Sequence, residues 1–265
     1  MKLLRSLLYT LFPFLLLFIF WELFSRTGIV NPALISSPSE IFSSLKDLLM
    51  EKNQKGYPVL LVHIYSSLYR LFFAFGIATF LGITLGLLIG INEHAYRFFY
   101  PLITITMPIP GIAWAPIIML WLGFGNPTII MVGIIASFFP ILHNMVAGVR
   151  SIKKEIVWSA KCMGADKKTI LFKILLPWST PFIFTGLKLG LARGWRTIIA
   201  VEMIAASLWG LGFMIFDARD YLQPSIIYGG IIILASIYLL LENLIFNQLE
   251  KHTIKKWGMV RGREI

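Results

Sequence analysis

Apolar positions in this chain gather into long, nearly uninterrupted runs separated by short polar stretches. A helix needs roughly 20 predominantly apolar residues to cross a bilayer. Five runs meet that length with few charges: residues 7–25, 71–91, 98–122, 128–149 and 225–241. A sixth, residues 182–206, carries Lys188, Arg193, Arg196 and Glu202 and still reads as a span from its flanks. The pattern predicts an all-α polytopic membrane protein with six transmembrane helices. Two connections break the rhythm. In residues 26–57, Ser36, Ser37, Pro38 and Ser39 precede an amphipathic run ending at Met50. That is the signature of a capped helix lying on the outer surface or interface. Residues 150–181 form a long lysine-rich stretch with helical spacing over 152–163. Ile156, Ser159, Ala160 and Met163 share one face, Gly164 reads as a helix stop, and a second helix begins near Asp166.

Composition agrees with the pattern. The 265 residues are 57% hydrophobic and only 14% charged, with a mean hydropathy of +0.78. That is too little charge to cover a soluble domain of this size. The net charge of +11 takes its meaning from where the cations sit. With six spans, fifteen Lys and Arg fall on the side holding both termini and the 150–181 loop, and five fall on the other. The positive-inside rule makes the first side cytoplasmic. The same bias accounts for most of the charge, so nucleic-acid binding is not called for. The apolar run after Arg5 continues to about Phe24 with no small-residue cleavage site, and reads as an uncleaved first span. The chain divides into an N-terminal span with its outer amphipathic segment (1–62), a core transmembrane domain (63–247) and a basic cytoplasmic tail (248–265).

Candidate chemistry is sparse. Cys162 is the one cysteine, and His63, His94, His143 and His252 are scattered without ligand spacing, so no metal site is expected. No nucleophile–base arrangement stands out. Pro101, Pro108, Pro110 and Pro116 in one span call for a kinked or broken helix. Irregular backbone at membrane depth belongs where it is buried in protein or lines a wet cavity. Residues 108–116, with Trp114 among them, are therefore the candidate gate or pathway segment. Lys188 and Arg196 lie about 80° apart around their helix, with Arg193 about 60° further round, so the three share one broad face. Glu202 projects roughly opposite Arg193, which does not favour an ion pair between those two. A basic intramembrane face suits an anionic solute. Snorkelling by Lys188 and capping of neighbouring helix ends by the arginines are the alternatives. Two glycine strings, Gly82/Gly86/Gly90 and Gly186/Gly190/Gly194, each give one helix a face for close packing, within the chain or across a dimer seam. For the basic loop, composition leaves open a helix resting on lipid headgroups or a surface for a partner protein.

The loop also resembles the cytoplasmic loop of ABC importer permeases, whose pattern runs Glu-Ala-Ala, three residues, Gly, nine residues, Ile-x-Leu-Pro. Gly164, nine residues and Ile174-Leu175-Leu176-Pro177 match its tail. The leading triplet departs, with Trp158-Ser159-Ala160 in its place and Glu155 one turn earlier. Residues from His63 to Trp257 resemble the nitrate/sulfonate/taurine/bicarbonate type in particular. Ser67, Arg70, Gly82, Gly86, Pro108, Pro110, Trp114, Pro116, Pro140, Gly148, Trp195 and Glu202 fall among the matching segments. The resemblance implies a type I (MetI-like) permease fold in the inner membrane of a prokaryote, and a transport subunit rather than an enzyme. It implies a coupling helix whose ATPase contacts are Glu155, Trp158, Ser159, Ala160, Met163, Gly164, Ala165 and Asp166. It also implies three kinds of partner: a cytoplasmic ABC ATPase dimer carrying ATP and Mg, an extracytoplasmic binding protein docked on outer loops including 207–223, and a second permease copy in a homodimer. The chain has no Gly-x-x-x-x-Gly-Lys-[Ser/Thr] phosphate loop, so the nucleotide falls to another chain. Alternatives from other classes are a membrane-embedded enzyme and a passive channel.

Overall fold

The computed structural model describes residues 2–247, apart from Val30, Pro32, Ala33 and Ser207. The basic tail 248–265, with His252, lies outside the described residues, as does Ser207 of the expected outer docking loop. The chain forms two compact units. One comprises residues 1–67 and 208–236, the other residues 68–207 and 237–265.

In the first unit, α1 (Lys2–Arg26) contains the first expected span. The short helix α2 (Pro38–Met50) begins at a complete capping box. Ser37 accepts from the Glu40 amide, and the Glu40 carboxylate accepts from the Ser37 amide. Its turn is fastened to α1 through Glu22, which accepts from the Ser39 hydroxyl at 2.8 Å and from the Ser39 amide at 3.1 Å. The helix α10 (Leu211–Asp220) and the start of α11 (Pro224–Leu241) complete this unit. Two α11 glycines make the packing possible. A Cβ on Gly229 would sit 2.8 Å from Leu45 Cδ2, and one on Gly230 2.5 Å from Ile215 Cγ1. The loop before α10 is held by His63, whose Nδ1 lies 2.8 Å from the Gly210 carbonyl and 3.1 Å from its amide.

The second unit contains most of α3 (Val59–Ile91), then α4 (Glu93–Thr106), a 3-10 turn (Gly111–Trp114), α5 (Ala115–Leu122) and α6 (Asn126–Arg150). Next come α7 (Lys154–Cys162), α8 (Lys167–Ile170), a π turn (Leu171–Leu175) and α9 (Leu176–Ala205). Helices α6 and α9 pack along their lengths and form the core of the unit. Both glycine strings pack against α6, one from α3 and one from α9. Added Cβ atoms on Gly82, Gly86 and Gly90 would collide with Ile141, Met145 and Val149 of α6. On the α9 side, Gly186 and Gly190 meet α6 at Asn144 and Ile141, and Gly194 meets it at Ser137. The glycine faces are thus consumed within the chain, where they bring three backbones to close approach.

Four described helices are individually long and apolar enough to cross a membrane: Val59–Ile91, Asn126–Arg150, Lys167–Ala205 and Pro224–Leu244. The pair Glu93–Thr106 and Gly111–Leu122, bent by 100° at the break between them, has the length and apolarity of a fifth crossing when its halves are taken as one span. The hydropathy reading gave this span as residues 98–122. Pro108 and Pro110 supply no amide donors to carry the helix through, so it breaks there instead. The span containing Arg193 is also longer than its apolar run. It continues backward through Pro181, which lies inside α9, to Pro177, whose place in the first turn removes only a donor that would go unused.

Candidate functional site

A cavity of about 340 Å³ opens in the second unit at the broken span. Its walls are the break itself from Thr106 to Ile112, with Trp114, then Ile135, Ala136 and Phe139 of α6, and Arg193, Arg196, Thr197 and Ala200 of α9. The geometry follows from three local facts. The last turn of α4 leaves carbonyls without helical partners. Arg193 Nη1 donates to one of them, the Met107 oxygen, at 3.0 Å, where a cation also complements the helix dipole. Gly111 lets the break lie flat, since a Cβ there would fall 2.8 Å from Thr197 Cγ2 and 3.0 Å from Ala136 Cβ. One turn along α9, Arg196 donates from Nε to the Ala192 carbonyl at 3.0 Å and stays exposed.

The sequence-selected pathway residues therefore separate. Pro108, Pro110, Trp114, Arg193 and Arg196 line the cavity. Pro116 does not; it occupies the first turn of α5. Lys188 is half-buried, its Nζ 5.9 Å from the centre of the Phe246 ring. Glu202 is fully buried and forms an ion pair with Arg70 at 2.6 Å, while Arg70 Nε donates to Asn126 Oδ1 at 2.8 Å. This cluster joins α3, α6 and α9 inside the protein, away from the cavity walls. Charges held in such surroundings must be paired. Sequence reasoning placed Gly111 inside the candidate segment 108–116 but missed Thr197 and Phe139 as wall residues and Arg70 as the partner of Glu202. An intramembrane arginine is itself a signal that an anion lies nearby, but the spacing along the chain does not identify which one.

The basic loop presents a second candidate surface. Helix α7 ends in a Schellman motif: the Gly164 amide donates to the Lys161 carbonyl at 2.9 Å and the Ala165 amide to the Ala160 carbonyl at 3.0 Å. Gly164 takes φ of +82°, the left-handed region that favours glycine. Asp166 caps α8 by accepting from the Thr169 amide at 2.9 Å. Hydrogen bonds from Thr169, the side chain first and then the backbone, hold its carboxyl below the usual range. Ala160 is buried, while Glu155, Trp158, Ser159 and Met163 face outward. Trp158 and Met163 are 58% and 81% exposed, which leaves an apolar ridge among lysines. Both ends of the loop are anchored. Trp178 Nε1 donates to Ser151 Oγ at 3.1 Å, and Ser151 in turn to the Gly148 carbonyl at 2.8 Å. Arg150 pairs with Glu93 at 2.6 Å and stacks 3.9 Å over the Tyr96 ring. A short helix on firm anchors with an exposed ridge can pass a push to the spans behind it.

Multiple apolar crossings, one broken beside a basic cavity, and an anchored polar-side helix define a membrane-spanning transport subunit. Comparison with known proteins narrows this. The chain belongs to the binding-protein-dependent transport system inner membrane component family, whose model matches residues 78–257. It is 31% identical over 224 residues to the taurine transport system permease TauC of Escherichia coli, covering 84% of this chain and 80% of that one. It is 30% identical over 238 residues to the bicarbonate transport system permease CmpB of Synechococcus elongatus, covering 86% and 82%. A putative aliphatic sulfonates transport permease of Bacillus subtilis, SsuC, is 27% identical over 237 residues, covering 89% and 83%. In fold, the chain resembles one from the MetNI methionine ABC transporter in an inward-facing form. The TM-score is 0.63 at 17% identity, over 73% of this chain and 95% of that one. The protein is the permease subunit of an ABC importer, as its loop motif implied.

Proposed function

We propose that this permease moves a small anion inward, and that Arg196, with Arg193 behind it, supplies the positive potential along the path. The observation that carries this reading is the pair of arginines on the wall of a cavity made by a broken span. The arginines differ in role: Arg193 is engaged with the Met107 carbonyl, whereas Arg196 is exposed toward the space a solute would occupy. Similarity to permeases for taurine, sulfonates and bicarbonate supports a small anionic or zwitterionic solute.

In this scheme two copies of the chain form the pathway as a homodimer. Two ATPase subunits, holding ATP and Mg, grip the α7 helices through Glu155, Trp158, Ser159, Ala160, Met163, Gly164, Ala165 and Asp166. An extracytoplasmic binding protein delivers the solute to the outer loops. Nucleotide-driven closure of the ATPases pulls the α7 helices together and opens the path outward, and hydrolysis resets it. Both termini lie in the cytoplasm. The test is uptake by the complete importer in proteoliposomes. Arg196→Gln lowers uptake at least tenfold, Arg196→Lys restores most of it, and an unchanged Arg196→Gln rate would sink the anion reading. Orientation has its own probe, because Cys162 is the chain's single cysteine and is exposed on α7. A membrane-impermeant maleimide labels it in inverted vesicles and not in intact cells; the reverse pattern would turn the topology over.

A further inference from the structure

Beside the basic cavity lies a second, larger hollow of about 760 Å³, an apolar groove walled by α3, α4 and α6, with Leu85, Leu88, Phe99 and Leu102 among its lining. The two spaces share two residues, Thr106 and Phe139. One side of this common wall presents Arg193, Arg196 and Thr197, and the other presents hydrocarbon. Phe139 is the bulky member of the wall. Its ring meets Phe138 edge-on, 5.2 Å between centroids at 69°, and packs against the buried cluster of Ile89, Ile103, Leu142 and Val146. The next residue, Pro140, withholds an amide from the Ala136 carbonyl one turn earlier, so the helix is loosened where Phe139 and Ala136 both line the cavity.

We propose that Phe139 is the specificity-determining residue for solute length: it closes the basic cavity against the apolar groove and so excludes the tail of an anion whose head lies at Arg196. The proposal rests on the reading of the cavity as an anion path. A compact oxyanion or a one- or two-carbon sulfonate fits on the polar side of the ring. A longer alkyl chain outgrows the small cavity, whose apolar wall residues such as Ile109 and Ile135 leave little depth, while an apolar groove more than twice its volume lies behind the ring. Removing the ring joins the two spaces, and each methylene buried in the groove then strengthens binding by about fourfold.

The experiment uses the permease–ATPase complex in lipid nanodiscs and titrates it calorimetrically with straight-chain alkanesulfonates from one to eight carbons. In the wild type, affinity levels off or falls after the shortest members. In Phe139→Ala it climbs about fourfold per methylene over at least three further carbons, measured relative to the same variant's affinity for methanesulfonate. Phe139→Leu, which keeps the packing contacts better, shows the same extension over fewer carbons and serves if the alanine variant is poorly folded. Matching chain-length profiles in wild type and variants, or a wild type that already gains with every carbon, overturns the role of Phe139 and leaves the anion reading standing. Arg196→Gln separates the two ideas, because unchanged affinity for every member of the series removes the anion reading and this proposal with it.

Discussion

Removing one partner of the Arg70–Glu202 pair is the most direct test of how this membrane core is held. The two side chains are 6% and 0% exposed, and their charged atoms approach to 2.6 Å. Truncating either leaves the other as an uncompensated buried charge, which costs about 3–5 kcal/mol. That is a large share of the roughly 5–15 kcal/mol by which folded proteins exceed their unfolded states. Glu202→Met and Arg70→Met should each lower the unfolding midpoint of the protein in mild detergent, followed by far-ultraviolet circular dichroism. The double variant removes both charges and fills the space with apolar side chains, so it should recover most of the loss. Such exchanges of a buried pair are often neutral or stabilising. The single losses would sum to roughly 6–10 kcal/mol if they were independent, so the shortfall in the double variant measures the coupling. Asn126, which accepts from Arg70 Nε, leaves the double variant some residual cost. Single variants within about 1 kcal/mol of wild type, or a double variant as unstable as the sum, would refute the buried-pair account. A further refuting result is loss of solute transport in a Glu202 variant of wild-type stability, since that places Glu202 on the path.

Three other outcomes follow from the loop and the helix packing. Gly164→Ala forces a side chain into the left-handed region at a cost of about 1–2 kcal/mol; with no atom within 4 Å of the added Cβ, the effect is confined to the end of α7. It should lower solute moved per ATP hydrolysed while leaving membrane insertion intact, and an unchanged ratio would count against α7 as the coupling element. Gly86→Val places its Cβ 2.7 Å from Met145 Cβ, well inside contact distance, and should destabilise by about 1–3 kcal/mol through overpacking; thermal unfolding at the wild-type midpoint would show that this seam is loose. The Asp166 cap has a carboxyl held below the usual range, so its contribution is present above the unfolded value of about 3.9 and is lost as pH falls through the folded value. Protection of the Thr169 amide, its exchange rate relative to the intrinsic rate at each pH, should fall below about pH 4 in wild type and be low at every pH in Asp166→Ala; protection that does not change with pH in wild type would remove the cap.

Much of this protein was legible in one dimension, because the bilayer imposes a length and a composition on whatever crosses it. The apolar runs, the capping box at Ser37, the Gly164 stop and the Asp166 start are local signals, each set by residues a few positions apart, and the helices formed where those signals stood. The break at Pro108 and Pro110 was legible for the same reason, since a missing amide donor acts within one turn. Three-dimensional packing decided the rest. Glu202 stands among the charges of its span in sequence, yet 132 residues separate it from the arginine that neutralises it. The cavity depends on Gly111 meeting Thr197 across two helices, and its dividing wall depends on where Phe139 lands on α6. Helical period orders residues around one axis, but only the packing of several axes determines which faces meet. The folded chain alone therefore separates an arginine that caps a helix from one that stays exposed on the cavity wall.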